Sequence, residues 1–232
     1  MSPQAPESNC TPKGETEPAA YDSSPRPLTH GAELVEQRYS KSIYGPWTSS
    51  LTPDGSLNLF NGTNPSPFVL PNGTIVVASH NNCGLTLSVA ANWTGPYSNP
   101  VCVVPYAQYP SVSNFTFEDP FLWFDNASES WKVLLHSYNK SNPHVQFGVG
   151  GYAESMTADP WGPWTLQDPS TPAYTTAVQF VDGTNETFSR RERPKVVFDS
   201  TTGKAIALIT AVCPEPDGNQ HCFTLGQRIG SN

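Results

Sequence analysis

One short pattern occurs three times in this chain, and that repeat narrows the fold more than any other feature. Pro67-Phe68-Val69-Leu70-Pro71-Asn72-Gly73 leads into the apolar run at 74–79. Pro120-Phe121-Leu122-Trp123-Phe124-Asp125 leads, after a polar turn, into the run at 131–136. Pro194-Lys195-Val196-Val197-Phe198-Asp199 leads, after Thr201-Thr202-Gly203, into the run at 204–209. Each unit is a proline, a short β-branched or aromatic run, a turn and a second apolar run. That order reads as a hairpin with one strand buried on both faces.

A second mark recurs. Gly45-Pro46-Trp47, Gly95-Pro96-Tyr97 and Gly162-Pro163-Trp164 each follow a polar stretch and make a turn that fixes an aromatic ring. Hairpins repeated on this scale read as blades of a β-propeller. Sandwich strands turn over every ~8–12 residues without such internal similarity. The expected fold is therefore all-β, with blades at 64–97, 118–165 and 192–229 and a remnant of an earlier blade at 33–48. Propellers have at least about four blades, so the expected one is incomplete here. Further sequence or a partner chain would complete it. Residues 33–232 are read as this domain and residues 1–32 as a low-complexity tail.

Composition agrees. The 24 prolines are about twice the usual share of roughly 5%, and proline is expelled from helix interiors. With 37% hydrophobic and 14% charged residues, the chain is too apolar to be disordered. No apolar run approaches the ~18 residues of a membrane span. The net charge is −8, and basic residues cluster only at Arg190, Arg191 and Arg193. That excludes the basic stripe a nucleic-acid partner requires.

The expected compartment is extracellular. Asn-x-Ser/Thr acceptors begin at Asn9, Asn61, Asn72, Asn92, Asn114, Asn126, Asn139 and Asn185, and such triplets mark surface loops of secreted proteins. Cys83 and Cys102 bracket one segment and Cys213 and Cys222 another. Two local disulfides leave Cys10 over, and no C-x-x-C zinc spacing occurs. The first 30 residues hold no signal peptide. A fragment, a mature form or an incomplete start is expected.

The blade starts carry the candidate chemistry. Aligned on their prolines, Glu118 and Glu192 both stand two residues before the proline, and Asp119 stands one before. Aligned on Pro67, the remaining blade offers Pro65 and Ser66 at those positions. Inner strands of a propeller line one channel, so these acids could face each other. A carboxylate pair is what glycoside hydrolysis needs, one protonated for the leaving oxygen and one ionised. Arg191 and Arg193 flank Glu192 and would favour its ionised form on reaching it. His80 and His136 end equivalent strands and could reach the channel. Trp123, Trp131 and Trp164 could stack on sugar faces or pack in the core.

Glu118-Asp119-Pro120-Phe121-Leu122-Trp123-Phe124-Asp125 with the run at 131–136 resembles a blade of the five-bladed propellers related to glycoside hydrolase family 43. Arg191-Glu192-Arg193-Pro194 with Val196-Val197-Phe198-Asp199 resembles the next blade. The resemblance extends over roughly 33–229. It implies that Asp119 tunes and orients the acid and that Glu192 is the general acid. Beside them Glu118, Arg191, Arg193, His136 and Trp123 are expected as substrate contacts, with a carbohydrate as partner and inverting hydrolysis as the reaction. The family's general-base aspartate lies two blades before Asp119, which falls near or before residue 10, where no Asp-Pro occurs. Asp22 lies in low-complexity sequence, so the base is expected outside these residues. Arg193 departs from the small residue common at its position. The resemblance admits a structural calcium near a late-blade histidine, here His221, and no other cofactor. A non-catalytic carbohydrate-binding or structural propeller is the alternative.

Overall fold

A computed structural model describes residues 38–49, 62–108, 114–139, 141, 149–215 and 221–229. The proposed tail lies outside them, and with it Asn9, Cys10 and Asp22, as does Asn61. Apart from one 3-10 turn, Tyr106–Gln108, the described elements are strands.

The strands form three antiparallel meanders and two short hairpins. The first hairpin pairs β1 (Arg38–Tyr39) with β2 (Thr48–Ser49). Sheet one contains β3 (Thr63–Val69), β4 (Ile75–Asn81), β5 (Gly84–Ala90) and β6 (Val101–Pro105), in that order. Sheet two contains β7 (Phe115–Asp125), β8 (Ser130–Asn139), β9 (Gly150–Ser155) and β10 (Trp164–Leu166). A hairpin of β11 (Ala177–Gln179) and β12 (Asn185–Thr187) follows. Sheet three contains β13 (Arg190–Phe198), β14 (Ala205–Cys213) and β15 (Phe223–Arg228). Among the described residues the sheets do not close into a ring.

The repeated motif forms the first two strands of each sheet, and its turn chemistry explains the pairing. Asp125 and Asp199 each follow a phenylalanine and accept turn amides on Oδ1: from Ala127 at 3.0 Å, and from Thr201 and Thr202 at 3.0 and 2.7 Å. Asn72 does the same for Thr74 at 3.0 Å. Such Asx turns satisfy backbone donors where the ladder ends.

Sheet two is covered on both faces, and β8 sends apolar side chains to each. Alternate residues of a strand point to opposite faces. Trp131, Val133 and Leu135 join Val76, Ala78, Leu85, Leu87, Val104, Phe117 and Leu122 in the core shared with sheet one. Leu134 turns the other way and meets Tyr174 and Leu208, with Phe121, Tyr152 and Val196, in the core shared with sheet three. Trp131 sets the larger core. It packs edge-on to Phe68 with centroids 5.4 Å apart, and its Nε1 donates to the Ala158 carbonyl at 2.8 Å. Trp131 and Trp164 are thus core residues, 1% and 8% exposed.

The strand boundaries differ from the sequence reading in one systematic way. Gly95-Pro96-Tyr97 does not end its sheet. It lies between β5 and β6, as Gly162-Pro163 lies between β9 and β10, so sheet one runs on to Pro105. The corner joins the third and fourth strands, and Gly45-Pro46-Trp47 stands in the same relation between β1 and β2. The β11–β12 hairpin was missed, although Asp182-Gly183 is a turn signal. It contributes Val178, and Phe188 just beyond it, to a cluster with Val212 and Leu225.

Disulfides join Cys83 to Cys102, tying the start of β5 to β6, and Cys213 to Cys222, tying β14 to β15. Asn72, Asn92, Asn114, Asn126 and Asn185 are exposed, and Asn139 is half-buried. No described helix is long and apolar enough to cross a membrane.

Candidate active site

The site arises from a defect repeated in all three sheets. Proline has no N–H for the ladder, and the pairing of each first strand slips where one occurs. The slips fall between Thr63 and Ser66, Glu118 and Phe121, and Glu192 and Lys195. Each bulge contains a residue-proline pair, and the residue before proline takes a left-handed conformation: φ is 51° at Asn64, 53° at Asp119 and 56° at Arg193. Asn and Asp tolerate this region because their short side chains can bond locally. Arg193 does so at greater steric cost.

These bulges correct the alignment. The proline equivalent to Pro120 and Pro194 is Pro65, not Pro67, which stays in register opposite Val77. The matching sets are therefore Thr63, Glu118, Glu192 and Asn64, Asp119, Arg193. Behind the first set, the second strands place His80, His136 and Ala211 directly opposite.

Four side chains converge. Glu118, Asp119, His136 and Glu192 each present one polar atom within 4.8 Å of the others, and all but Glu118 are buried. The His136 Nδ1 lies 3.5 Å from Glu118 Oε1 and 4.0 Å from Asp119 Oδ2. The Tyr138 hydroxyl stands 3.5 Å from Glu118 Oε2, its ring stacked on His136. Asn64, from sheet one, donates through Nδ2 to Asp119 Oδ1 at 2.6 Å. Arg190 donates through Nη2 to Glu192 Oε2 at 2.6 Å.

The two adjacent acids of β7 are driven apart. Burial, then the negative charge of Glu118, raises Asp119 from 3.8 to about 6, against the opposing pull of His136 and Arg193. Burial also pushes Glu118 up, but the hydrogen bond and charge of His136, with His80 and Arg193, outweigh it and hold Glu118 below the ordinary range. Two neighbouring carboxyls with opposed shifts form a pair in which one keeps a proton and the other a charge.

Of the sequence candidates, Glu118, Asp119, Glu192 and His136 come together, and exposed Arg193 acts on the two β7 acids by its charge. Arg191 does not join them. Residues one apart on a strand face opposite ways, so Arg190, two before Glu192, takes the place expected of Arg191. Arg191 is 1% exposed. It donates to Thr210 Oγ1 at 3.1 Å, the Thr175 carbonyl at 2.9 Å and Gln227 Oε1 at 2.8 Å, and lies over the Tyr174 ring. These bonds tie sheet three internally and to the segment before β11. Trp123 packs with Phe121, Tyr152 and Phe198 and lines a cleft of about 580 Å³ between sheets two and three. His80 Nδ1 meets the Tyr106 hydroxyl at 3.3 Å.

Sequence reasoning missed Asn64, Arg190, Tyr138 and Lys195, whose Nζ lies 5.4 Å from the centre of the Phe121 ring. Strand alternation could have found Arg190, and an alignment on Pro65 could have found Asn64. His221, the histidine named for a calcium, is exposed, with its Nδ1 3.4 Å from Glu215 Oε1.

The sequence matches no protein-family model and no curated protein. Solved structures do match, family-43 glycoside hydrolases among them. A variant of the GH43 protein BlXynB from Bacillus licheniformis aligns at a TM-score of 0.53 and 15% identity, over 88% of this chain and 37% of its own. A thermostable family-43 glycoside hydrolase aligns at 0.54 and 14%, over 84% of this chain and 62% of its own. The chain thus spans less than two thirds of either structure's length. At these identities the likeness is one of fold.

Proposed function

We propose that the chain belongs to a secreted glycoside hydrolase of the five-bladed propeller type, acting on an extracellular or cell-wall polysaccharide. The observation that carries this reading is the approach of Asp119 and Glu192, from equivalent bulges on different sheets, to within 4.8 Å. In the proposed reaction Glu192 gives its proton to the glycosidic oxygen as the bond to the anomeric carbon breaks. Asp119, raised to about 6 by burial and the charge of Glu118, stands beside Glu192 as the carboxyl that tunes and orients it. An inverting reaction needs its acid and base about 6.5–9.5 Å apart, to leave room for water. The clustered carboxylates are closer than that, so the base that activates water is a further group on the opposite side of the sugar. The two disulfides and the exposed acceptor asparagines support an oxidising, secretory compartment.

One observation favours a second reading, a non-catalytic carbohydrate-binding propeller. Arg190 holds Glu192 as an ion pair, which must open before Glu192 can carry a proton to a leaving group. Hydrolysis of a panel of pentose and hexose glycosides, with the product anomer followed by proton NMR, separates the two. Turnover with inverted product supports the hydrolase. Binding without turnover supports the second reading.

A further inference from the structure

Asp119 sits at an unusual meeting of two sheets. Its backbone is fixed in the left-handed region by the bulge, so its carboxylate direction depends on what holds the side chain. On its own sheet, Glu118 and His136 flank it. Sheet three brings Glu192, Arg193 and Lys195 into its field, and buried Tyr174 lies close enough to feel its charge. Sheet one supplies Asn64, which occupies the same bulge position, one sheet back, with the same φ to within a few degrees.

The amide orientation of Asn64 is set by its neighbour. The Thr63 hydroxyl donates to Asn64 Oδ1 at 3.1 Å, so the opposite end, Nδ2, is the end presented to Asp119 Oδ1 at 2.6 Å. Asn64 precedes Pro65, so it lies outside the glycosylation triplets and its side chain stays free for this role.

We propose that Asn64 is a positioning residue, oriented by Thr63, which fixes the Asp119 carboxylate against sheet one and thereby sets where Asp119 stands relative to Glu192. The catalytic part of this inference rests on the proposed hydrolase, whereas the Thr63–Asn64–Asp119 relay does not. A donor on a carboxylate favours its ionised form. The relay therefore holds the Asp119 titration below the value that burial and Glu118 would otherwise give it. Without Asn64, the carboxylate should also lose its single direction.

The test is the pH titration of the Asp119 side-chain carboxyl by carbon-detected NMR on the full chain, with folding checked from the amide spectrum. In N64A the midpoint should rise by about one unit, the equivalent of one charge-assisted hydrogen bond. N64D places a second carboxyl against Asp119 and should raise it further. T63V keeps the β-branched shape, removes only the orienting hydroxyl, and should move the midpoint the same way by less. If the protein hydrolyses a glycoside, the pH profile of kcat/KM should move with the midpoint in all three. A folded N64A whose midpoint matches the parent overturns the proposal, and so does an unmoved T63V if N64A fails to fold. An absence of glycosidase activity overturns the hydrolase reading but leaves the titration result standing.

Discussion

Arg190 and Glu192 lie on the same face of β13, two residues apart, joined by a 2.6 Å charge-assisted bond between Nη2 and Oε2. In the proposed reaction this pair opposes chemistry, because the contact must open before Glu192 can reach a leaving group. R190M removes that contact. We expect kcat/KM on a responsive glycoside to rise several-fold near neutral pH, and the R190M/E192Q double variant to be as inactive as E192Q. A loss of activity in R190M comparable to that of E192Q would instead give Arg190 a substrate-holding role.

Asp119 ties stability to pH. Its folded-state value of about 6 lies above the ordinary 3.8, so the folded chain binds this proton more tightly than the unfolded chain. The stability it contributes is present in full below the ordinary value and is lost as pH rises through about 6. D119N removes the titration while keeping the shape and an oxygen for Asn64. Urea unfolding should show a flatter pH dependence between about pH 4 and 6. Above that range D119N should be more stable than the parent, by on the order of 2 kcal/mol.

Arg191 is a structural residue, and its loss should appear in folding rather than in affinity. R191M leaves Thr210, Gln227 and the Thr175 carbonyl without their donor. Leaving these buried neutral acceptors without a donor costs about 1–3 kcal/mol. Chemical denaturation should show that loss, with KM in the folded fraction unchanged.

The disulfides close loops of different length. The Cys83–Cys102 bridge spans 19 residues and Cys213–Cys222 spans 9. Loop-closure entropy gives roughly 3 kcal/mol for the first and slightly less for the second. Paired serine substitutions, measured by thermal unfolding under equal conditions, should rank in that order.

The hairpin repeat was legible because its causes are local: a proline, an apolar run and an Asx turn each act over a few residues. The convergence of Glu118, Asp119, His136 and Glu192 was legible for the same reason, since each stands at a repeated position. Asn64 was misread because Pro65 and Pro67 are both prolines near the start of β3, and only the pairing with β4 shows which one breaks the ladder. The exchange of Arg191 for Arg190 follows from alternation, but whether a strand starts one residue earlier or later is decided by packing. Trp123 was read as serving a sugar or a core, and its aromatic neighbours Tyr152 and Phe198 lie 29 and 75 residues on in sequence, beyond the reach of any local pattern.

The central claim is that Glu192 is the acid that protonates a glycosidic leaving group. It is tested most directly by comparing E192Q with the parent on two substrates that share a sugar, one with a nitrophenolate leaving group and one with a sugar alcohol leaving group. A general acid contributes about 10²–10⁴-fold where the leaving group needs the proton. We predict a loss in that range for the sugar leaving group and a loss below about tenfold for nitrophenolate, which departs unassisted. Equal losses on both substrates, or none on either, would contradict the account.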